Sequence, residues 1–423
     1  MSTSPPSTAA GMIEFSCQQC GSMLKVGAAT SGKQAKCPQC GSVQVVPETD
    51  VQPTPSAPPA PAQPLGPSAT TPPVAASVAP VSAPIAYPAA SPSTPSSPAA
   101  PQVSGRETPT KQLFERITAE IGKIFVGQDE LVLGTLVALF SSGHVLIESV
   151  PGLGKTLFVR TMGRVLGCEF GRIQFTADLM PSDITGAPIF DMKTQEFRFR
   201  PGPVFTQFLL ADEINRSPAK THAALLEIMQ EYRVTIDGTS HELNRPFLVM
   251  ATQNPIESEG TYNLPEAQLD RFMFKIVAEY PRQDEEARIL SLHSRQLDIN
   301  ERLDKELSTI TSSAEILKIT RENANVRVDE RLIDYINKVV RLTREWPQFH
   351  MGASPRAGLA LMQGARTLAA FHGRDYAVPD DVVQIALPAL RHRVILTAEA
   401  EVEGHDVDHL LTELIRSVEV PRL

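Results

Sequence analysis

Gly152-Leu153-Gly154-Lys155-Thr156 places two glycines, an ammonium and a hydroxyl within five residues. In the pattern G-x-x-x-x-G-K-[ST], backbone N–H groups wrap a phosphate chain and the following helix points its positive end at it. Lys155 is then placed to reach the β- and γ-phosphates of a nucleotide, and the Thr156 hydroxyl to ligate Mg²⁺. Pro151, Leu153 and Leu157 complete the turn and the helix start around these groups. Ser149 stands where the strict pattern has glycine. Gly152 and Gly154 still permit close backbone approach, so nucleotide binding is the better reading.

Asp212-Glu213 follows 57 residues after Lys155, at the end of an apolar run. Two adjacent carboxylates at the C-terminal end of a strand have separable tasks: Asp212 can hold Mg²⁺ and Glu213 can orient and deprotonate a water. The alternative is that both acids cap the next helix. Asn254 ends a third apolar run and could touch the γ-phosphate or the attacking water, although Asn-Pro is also a common turn. Arg271 and Arg356 could stabilise charge on phosphoryl oxygens, in cis or from a neighbouring subunit, or be ordinary surface or ion-pair arginines.

The elements that must position these groups alternate. Residues 145–147 read as a strand, 157–166 as a helix, and 205–210 and 246–251 as further buried strands, so the expected fold class is α/β with a parallel sheet covered on both faces. After residue 280 strand signals stop, and 285–297, 330–344, 356–371 and 379–391 have helical periodicity, with Pro379 just inside the last start. The expected organisation is a small metal-binding segment at 13–47, a disordered Pro/Ala/Ser-rich linker at 48–108, an α/β domain at 109–280 and an all-α domain at 281–423. The stretch 51–105 has no charged residue and is rich in proline, alanine and serine. Such composition cannot offset the entropy of folding and predicts an extended spacer.

Cys17-Gln-Gln-Cys20 and Cys37-Pro-Gln-Cys40 form a near-duplicate pair. Four thiolates from two such knuckles predict structural Zn²⁺ in a zinc ribbon, with redox-active thiols or disulfides as the alternatives. The remaining cysteine, Cys168, reads as a small apolar residue. A net charge of −9 argues against a broad nucleic-acid-coating surface. The apolar run 131–140 is too short to cross a bilayer. The first eleven residues lack the marks of a secretory signal, so a cytoplasmic location is expected.

Taken together, 126–128, 151–156, 174–176, 200–203, 211–216, 251–255, 264–272 and 352–357 resemble an AAA+ ATPase of the MoxR family, over roughly residues 111–418. The resemblance implies a P-loop AAA+ parallel-sheet domain plus an all-α lid. It makes Lys155 and Thr156 part of Walker A, Asp212 and Glu213 Walker B, and Asn254 sensor 1. Arg271 becomes an arginine finger acting on the neighbouring subunit, Arg356 becomes sensor 2 on the lid, and Val126 and Gly127 fall in the adenine pocket. It also implies a hairpin at 185–200 inside the second helix and another at 231–243, where Asp237-Gly238 is a good hairpin turn by itself. The expected activity is ATP hydrolysis with Mg²⁺ by a homo-oligomeric ring, most simply a hexamer. Its expected partners are protein clients, among them von Willebrand factor A domain proteins. A nucleic-acid-stimulated motor and a nucleotide-gated scaffold with little turnover are the alternatives.

Overall fold

The computed structural model describes residues 105–150, 152–254, 262, 264–293 and 299–422, together with 12–16, 23–27, 34–36, 39–40 and 43–45. The chain forms two units, Met1–Pro95 and Ser96–Leu423. In the first, β1 (Met12–Ser16) pairs antiparallel with β2 (Met23–Gly27), and β3 (Gln34–Lys36) with β4 (Val43–Val45). Cys17, Cys20 and Cys37 lie outside the described residues, as does nearly all of 48–108; Cys40 is exposed.

The second unit begins with α1 (Pro109–Ile121), α2 (Asp129–Phe140), β5 (Val145–Ser149), α3 (Lys155–Leu166) and β6 (Phe170–Gln174). A short α4 (Pro181–Thr185) precedes a hairpin of β7 (Gly186–Asp191) and β8 (Glu196–Pro201). Then follow β9 (Phe208–Asp212), α5 (Ala219–Glu231), and a second hairpin of β10 (Arg233–Ile236) and β11 (Thr239–Glu242). β12 (Leu248–Gln253), α6 (Glu266–Leu269) and β13 (Phe274–Ala278) complete the α/β part.

Five of these strands form one parallel sheet in the order β13-β5-β12-β9-β6. Alternation along each strand divides the apolar residues between two cores. Val145, Ile147, Phe208, Leu210, Leu248 and Met250 enter one, and Leu146, Leu209, Ala211, Val249 and Ala251 the other. Burial on both faces is why β5, β9 and β12 read as continuous apolar runs, while β6 and β13, at the edges and part-exposed, do not read as strands from the sequence.

Two strands start later than their apolar runs. The 205–210 run enters β9 only at Phe208, and the 246–251 run enters β12 only at Leu248. Residues 205–207 instead form a buried turn that ties strand starts together. The Thr206 hydroxyl donates to the Glu169 carbonyl (3.0 Å), the Gln207 amide donates to the Arg245 carbonyl (3.2 Å), and the Leu248 N–H donates to the Gln207 carbonyl (2.8 Å). A buried turn and a buried strand share composition, so apolarity alone cannot separate them. Both strands also run further than their apolar runs, and Asp212 is the last residue of β9.

The hairpin expected inside a second helix is present, but only the five residues of α4 precede it and the 203–207 turn follows it. The second hairpin closes on Asp237 and Gly238, both left-handed at φ 49° and 78°, as a tight primed turn requires. Phe199 of β8 stacks on His241 of β11, with ring centroids 4.1 Å apart and planes at 24°, linking the two hairpins. At the outer end of the first, Phe197 and Met192 are exposed.

The C-terminal part comprises α7 (Gln283–His293), α8 (Ile299–Glu306), α9 (Ser313–Asn323), α10 (Glu330–Leu342), α11 (Pro355–Phe371), α12 (Pro379–Leu390), α13 (Ala398–Val402) and α14 (Val407–Ser417). It is not wholly helical. β14 (Phe349–Met351) pairs antiparallel with β15 (Ile395–Leu396), strands too short to leave a periodic signal. Leu361, Leu368, Ile385 and Leu411 share a core with one face of the sheet, so helices and sheet pack as one body.

Candidate active site

β5 delivers the chain to the loop, and α3 carries it away from residue 155, with Lys155 and Thr156 as its first two residues. Gly152 and Gly154 have φ of 89° and 74°. Nothing lies within 4 Å of where a Cβ on Gly152 would stand, so backbone conformation rather than space demands glycine there. Ser149 is different: as the final residue of β5 it has extended backbone and is 2% exposed. A left-handed residue is not needed at that position, which explains how serine is accommodated. Pro151 lies outside the described residues.

Asp212 and Glu213 are held by a polar network crossing three strands. Asp212, 8% exposed, accepts from the Thr252 hydroxyl at 2.6 Å through one oxygen and from the Arg172 guanidinium at 2.7 Å through the other. The same Thr252 hydroxyl accepts the Glu213 N–H at 2.9 Å. The Glu213 carboxylate accepts from the Gln174 amide at 2.8 Å and pairs with Arg216 at 3.2 Å, while Arg172 also donates to Gln174 at 2.7 Å. Glu213 is left-handed (φ 56°), a conformation that costs a non-glycine residue about 1–2 kcal/mol and is tolerated where surroundings impose it. Asn254 follows β12 and is 8% exposed. Arg172 and Thr252 were not visible as site residues in the sequence. Arg172 lies in no motif, and Thr252, although inside the 251–255 segment, was given no role there; each reaches Asp212 through lateral strand pairing.

The oxygens that Thr156 and Asp212 offer are hard donors of the kind Mg²⁺ prefers. Among the described residues no three His, Cys, Asp or Glu side chains gather into a ready-made metal site. Mg²⁺ would draw only one or two ligands from the protein, with phosphates and waters as the others.

A cavity of about 590 Å³ opens beside the loop, lined by Val126, Gly152, Gly154, Leu157, Tyr280 and Ile289 among others. Its size and apolar walls suit a nucleotide base. Gly127, between two lining residues, has φ 77° and would press a Cβ to 3.0 Å from the Glu285 carboxylate. The α7 wall was not foreseen, because its contact depends on how that helix folds back over the loop.

Arg271 and Arg356 are elsewhere. They line a second cavity of about 360 Å³ with Ser142 and His144, which precede β5, and Met273, which precedes β13. That is the N-terminal end of the sheet, whereas the loop leaves its C-terminal end. The five residues of β5 separate them by roughly 16 Å. The structure therefore brings the two arginines to each other and not to the loop of the same chain.

Comparison with known proteins agrees with this architecture. Residues 144–274 match the family of ATPases associated with various cellular activities (AAA), and residues 341–414 match the AAA lid domain. Protein YeaC of Bacillus subtilis is 45% identical over 309 residues, covering 73% of this chain and 95% of YeaC. Chaperone MoxR1 of Mycobacterium tuberculosis is 45% identical over 318 residues, covering 73% of this chain and 82% of MoxR1. Protein MoxR of Methylorubrum extorquens is 33% identical, covering 72% of this chain and 92% of that protein. A crystal structure from Cytophaga hutchinsonii, assigned as an ATPase, superposes with a TM-score of 0.69 at 40% identity, covering 74% of this chain and 96% of that one. Loop, sheet order, lid and relatives converge: the chain belongs to the MoxR family of AAA+ ATPases.

Proposed function

We propose that this chain hydrolyses ATP within a homo-oligomeric ring, most simply a cytoplasmic hexamer, and uses the cycle to remodel or assemble protein partners. The observation that carries the reading is the acid pair at the end of β9, braced by Thr252 on the adjacent strand. The loop N–H groups and Lys155 bind the triphosphate, with the base in the cavity bounded by Val126, Leu157 and Tyr280. Thr156 and Asp212 would hold Mg²⁺, which would supply neutralisation of the charge on the transferring phosphoryl group. Glu213 takes a proton from a water as the water oxygen bonds to the γ-phosphorus. The bond to the bridging oxygen breaks, and its electrons leave with ADP. Asn254 orients the water or the γ-phosphate.

Arg271 and Arg356 act on the nucleotide of the next chain, a reading supported by their distance from the loop of their own. A chaperone-like role is supported by the relative named Chaperone MoxR1 and by the exposed Phe197 and Met192 on the first hairpin. Domains of the von Willebrand factor A type are candidate clients. Structural Zn²⁺ on Cys17, Cys20, Cys37 and Cys40 is part of the same proposal; elemental analysis should find one zinc per chain.

Glu213→Gln tests the core of the reading: nucleotide should still bind, turnover should vanish, and bound clients should be trapped. Lys155→Ala should lose both binding and turnover. Normal turnover by Glu213→Gln would overturn the assignment.

A further inference from the structure

Asp270, next to Arg271, joins everything around the two distant arginines. Its carboxylate is 18% exposed and faces three partners. The Ser354 hydroxyl lies 3.0 and 2.9 Å from its two oxygens, Arg393 Nε donates to Oδ1 at 2.7 Å, and an Arg356 nitrogen lies 3.7 Å from Oδ2.

Each partner leads back to one of the arginines. Ser354 is the N-cap of α11, and its oxygen accepts the Arg356 N–H at 3.1 Å while its hydrogen goes to Asp270. Asp270 thus fixes the helical turn from which Arg356 projects. Arg393, with 3% of its side chain exposed, donates to the carbonyls of Asp270 (3.1 Å) and Phe272 (2.7 Å), the residues on either side of Arg271, and to Met273 (3.1 Å). Arg393 fixes the backbone from which Arg271 projects, and the Asp270 carboxylate neutralises it. A buried guanidinium without that partner would carry a heavy desolvation cost. Arg271 and Arg356 themselves remain at the cavity surface, with half of the Arg356 side chain exposed.

We infer that Asp270 is a positioning residue that sets Arg271 and Arg356 as one paired unit, so that both guanidinium groups meet the neighbouring chain's phosphates together. The inference rests on the proposed action of these arginines in trans. A carboxylate serving only to knit the lid to the sheet would not require its effect to be complemented by another subunit. Pairing also suits the ligand, because developing charge is spread over several phosphoryl oxygens and two fixed guanidinium groups can meet it with little reorganisation.

The test uses the full-length chain with Asp270→Asn, Ser354→Ala and Ser354→Thr, each alone and mixed with Glu213→Gln. Ser354→Ala cuts only the arm to Arg356, so the test stands even where Asp270→Asn fails to fold. Asp270→Asn and Ser354→Ala should lower kcat about tenfold with the ATP KM changed less than about twofold, and Ser354→Thr should restore it. Mixed with Glu213→Gln, both should recover turnover, because their intact loops then face intact arginine pairs. Arg271→Ala mixed with Glu213→Gln is the reference. No gain in that reference mixture would sink the trans reading itself. A gain there but none with the Asp270 and Ser354 variants, or native turnover by those variants alone, would overturn the positioning role.

Discussion

The Thr252 hydroxyl lies 2.6 Å from Asp212 Oδ1, so the C-terminal end of β12 braces the acid carried by its neighbour β9. Because the same oxygen also accepts the Glu213 N–H, one side chain sets both carboxylates. Thr252→Val keeps the shape and removes the hydroxyl, leaving two groups unpaired in a fully buried position. Stability should fall by about 1–3 kcal/mol in denaturant titration, with turnover reduced at least about tenfold. Thr252→Ser should retain both. Native turnover in the valine variant would separate the brace from catalysis.

Arg172 and the proposed Mg²⁺ draw on the same carboxylate, since the guanidinium now occupies Asp212 Oδ2 at 2.7 Å. Removing the competitor with Arg172→Gln should therefore lower the Mg²⁺ concentration that half-saturates binding of a fluorescent ATP analogue. An unchanged Mg²⁺ dependence would show that the pair does not stand in the metal's way.

His144 gives the fold a pH dependence. Its Nδ1 accepts the Val249 N–H at 3.1 Å, which places the ring proton on Nε2, facing the Met229 carbonyl at 3.1 Å. Burial lowers its pKa from 6.5 to about 4. Above pH 6.5 the ring is neutral both folded and unfolded. As pH falls from 6.5 towards 4, only the unfolded chain takes up the proton, so stability is lost across that window, on the order of 3 kcal/mol in total. Thermal midpoints at pH 7.5 and 5 should diverge less in His144→Gln than in the native chain. Equal divergence would assign the acid sensitivity to other groups, among them the buried His392, whose pKa is also well below normal because of burial.

The Phe199–His241 stack predicts energetic coupling between the hairpins. In a double-mutant cycle, Phe199→Ala and His241→Ala should be non-additive by about 0.5–1.5 kcal/mol. Strict additivity would mean that the hairpins move independently.

What could be foreseen from the residues followed from how local each signal was. The loop, the acid pair and the hairpin turn at Asp237-Gly238 depend on neighbours in sequence, and the three central strands β5, β12 and β9 announced themselves because burial on both faces leaves uninterrupted apolar runs. The edge strands β6 and β13, part-exposed and interrupted by Arg172 and Lys275, left no such run. Thr252 and Arg172 act through register, since Ala251 lies beside Ala211 and Gln174 beside Asp212 across strands distant in the chain. No spacing rule exposes such pairs. Arg271 and Arg356 were recognisable as arginines of interest, but Arg271 takes its end of the sheet from the direction of β13, which it precedes, and Arg356 is brought to the same end by how α11 packs with Ser354 on Asp270.

The separation of the phosphate loop from the two arginines has a further consequence. A single chain cannot fold its own arginines onto its own nucleotide without dismantling the sheet between them. On the proposed mechanism, a solitary copy is therefore silent by construction. Turnover per chain should rise steeply with protein concentration before levelling off, so that abundance itself acts as the switch and a dilute pool wastes no fuel.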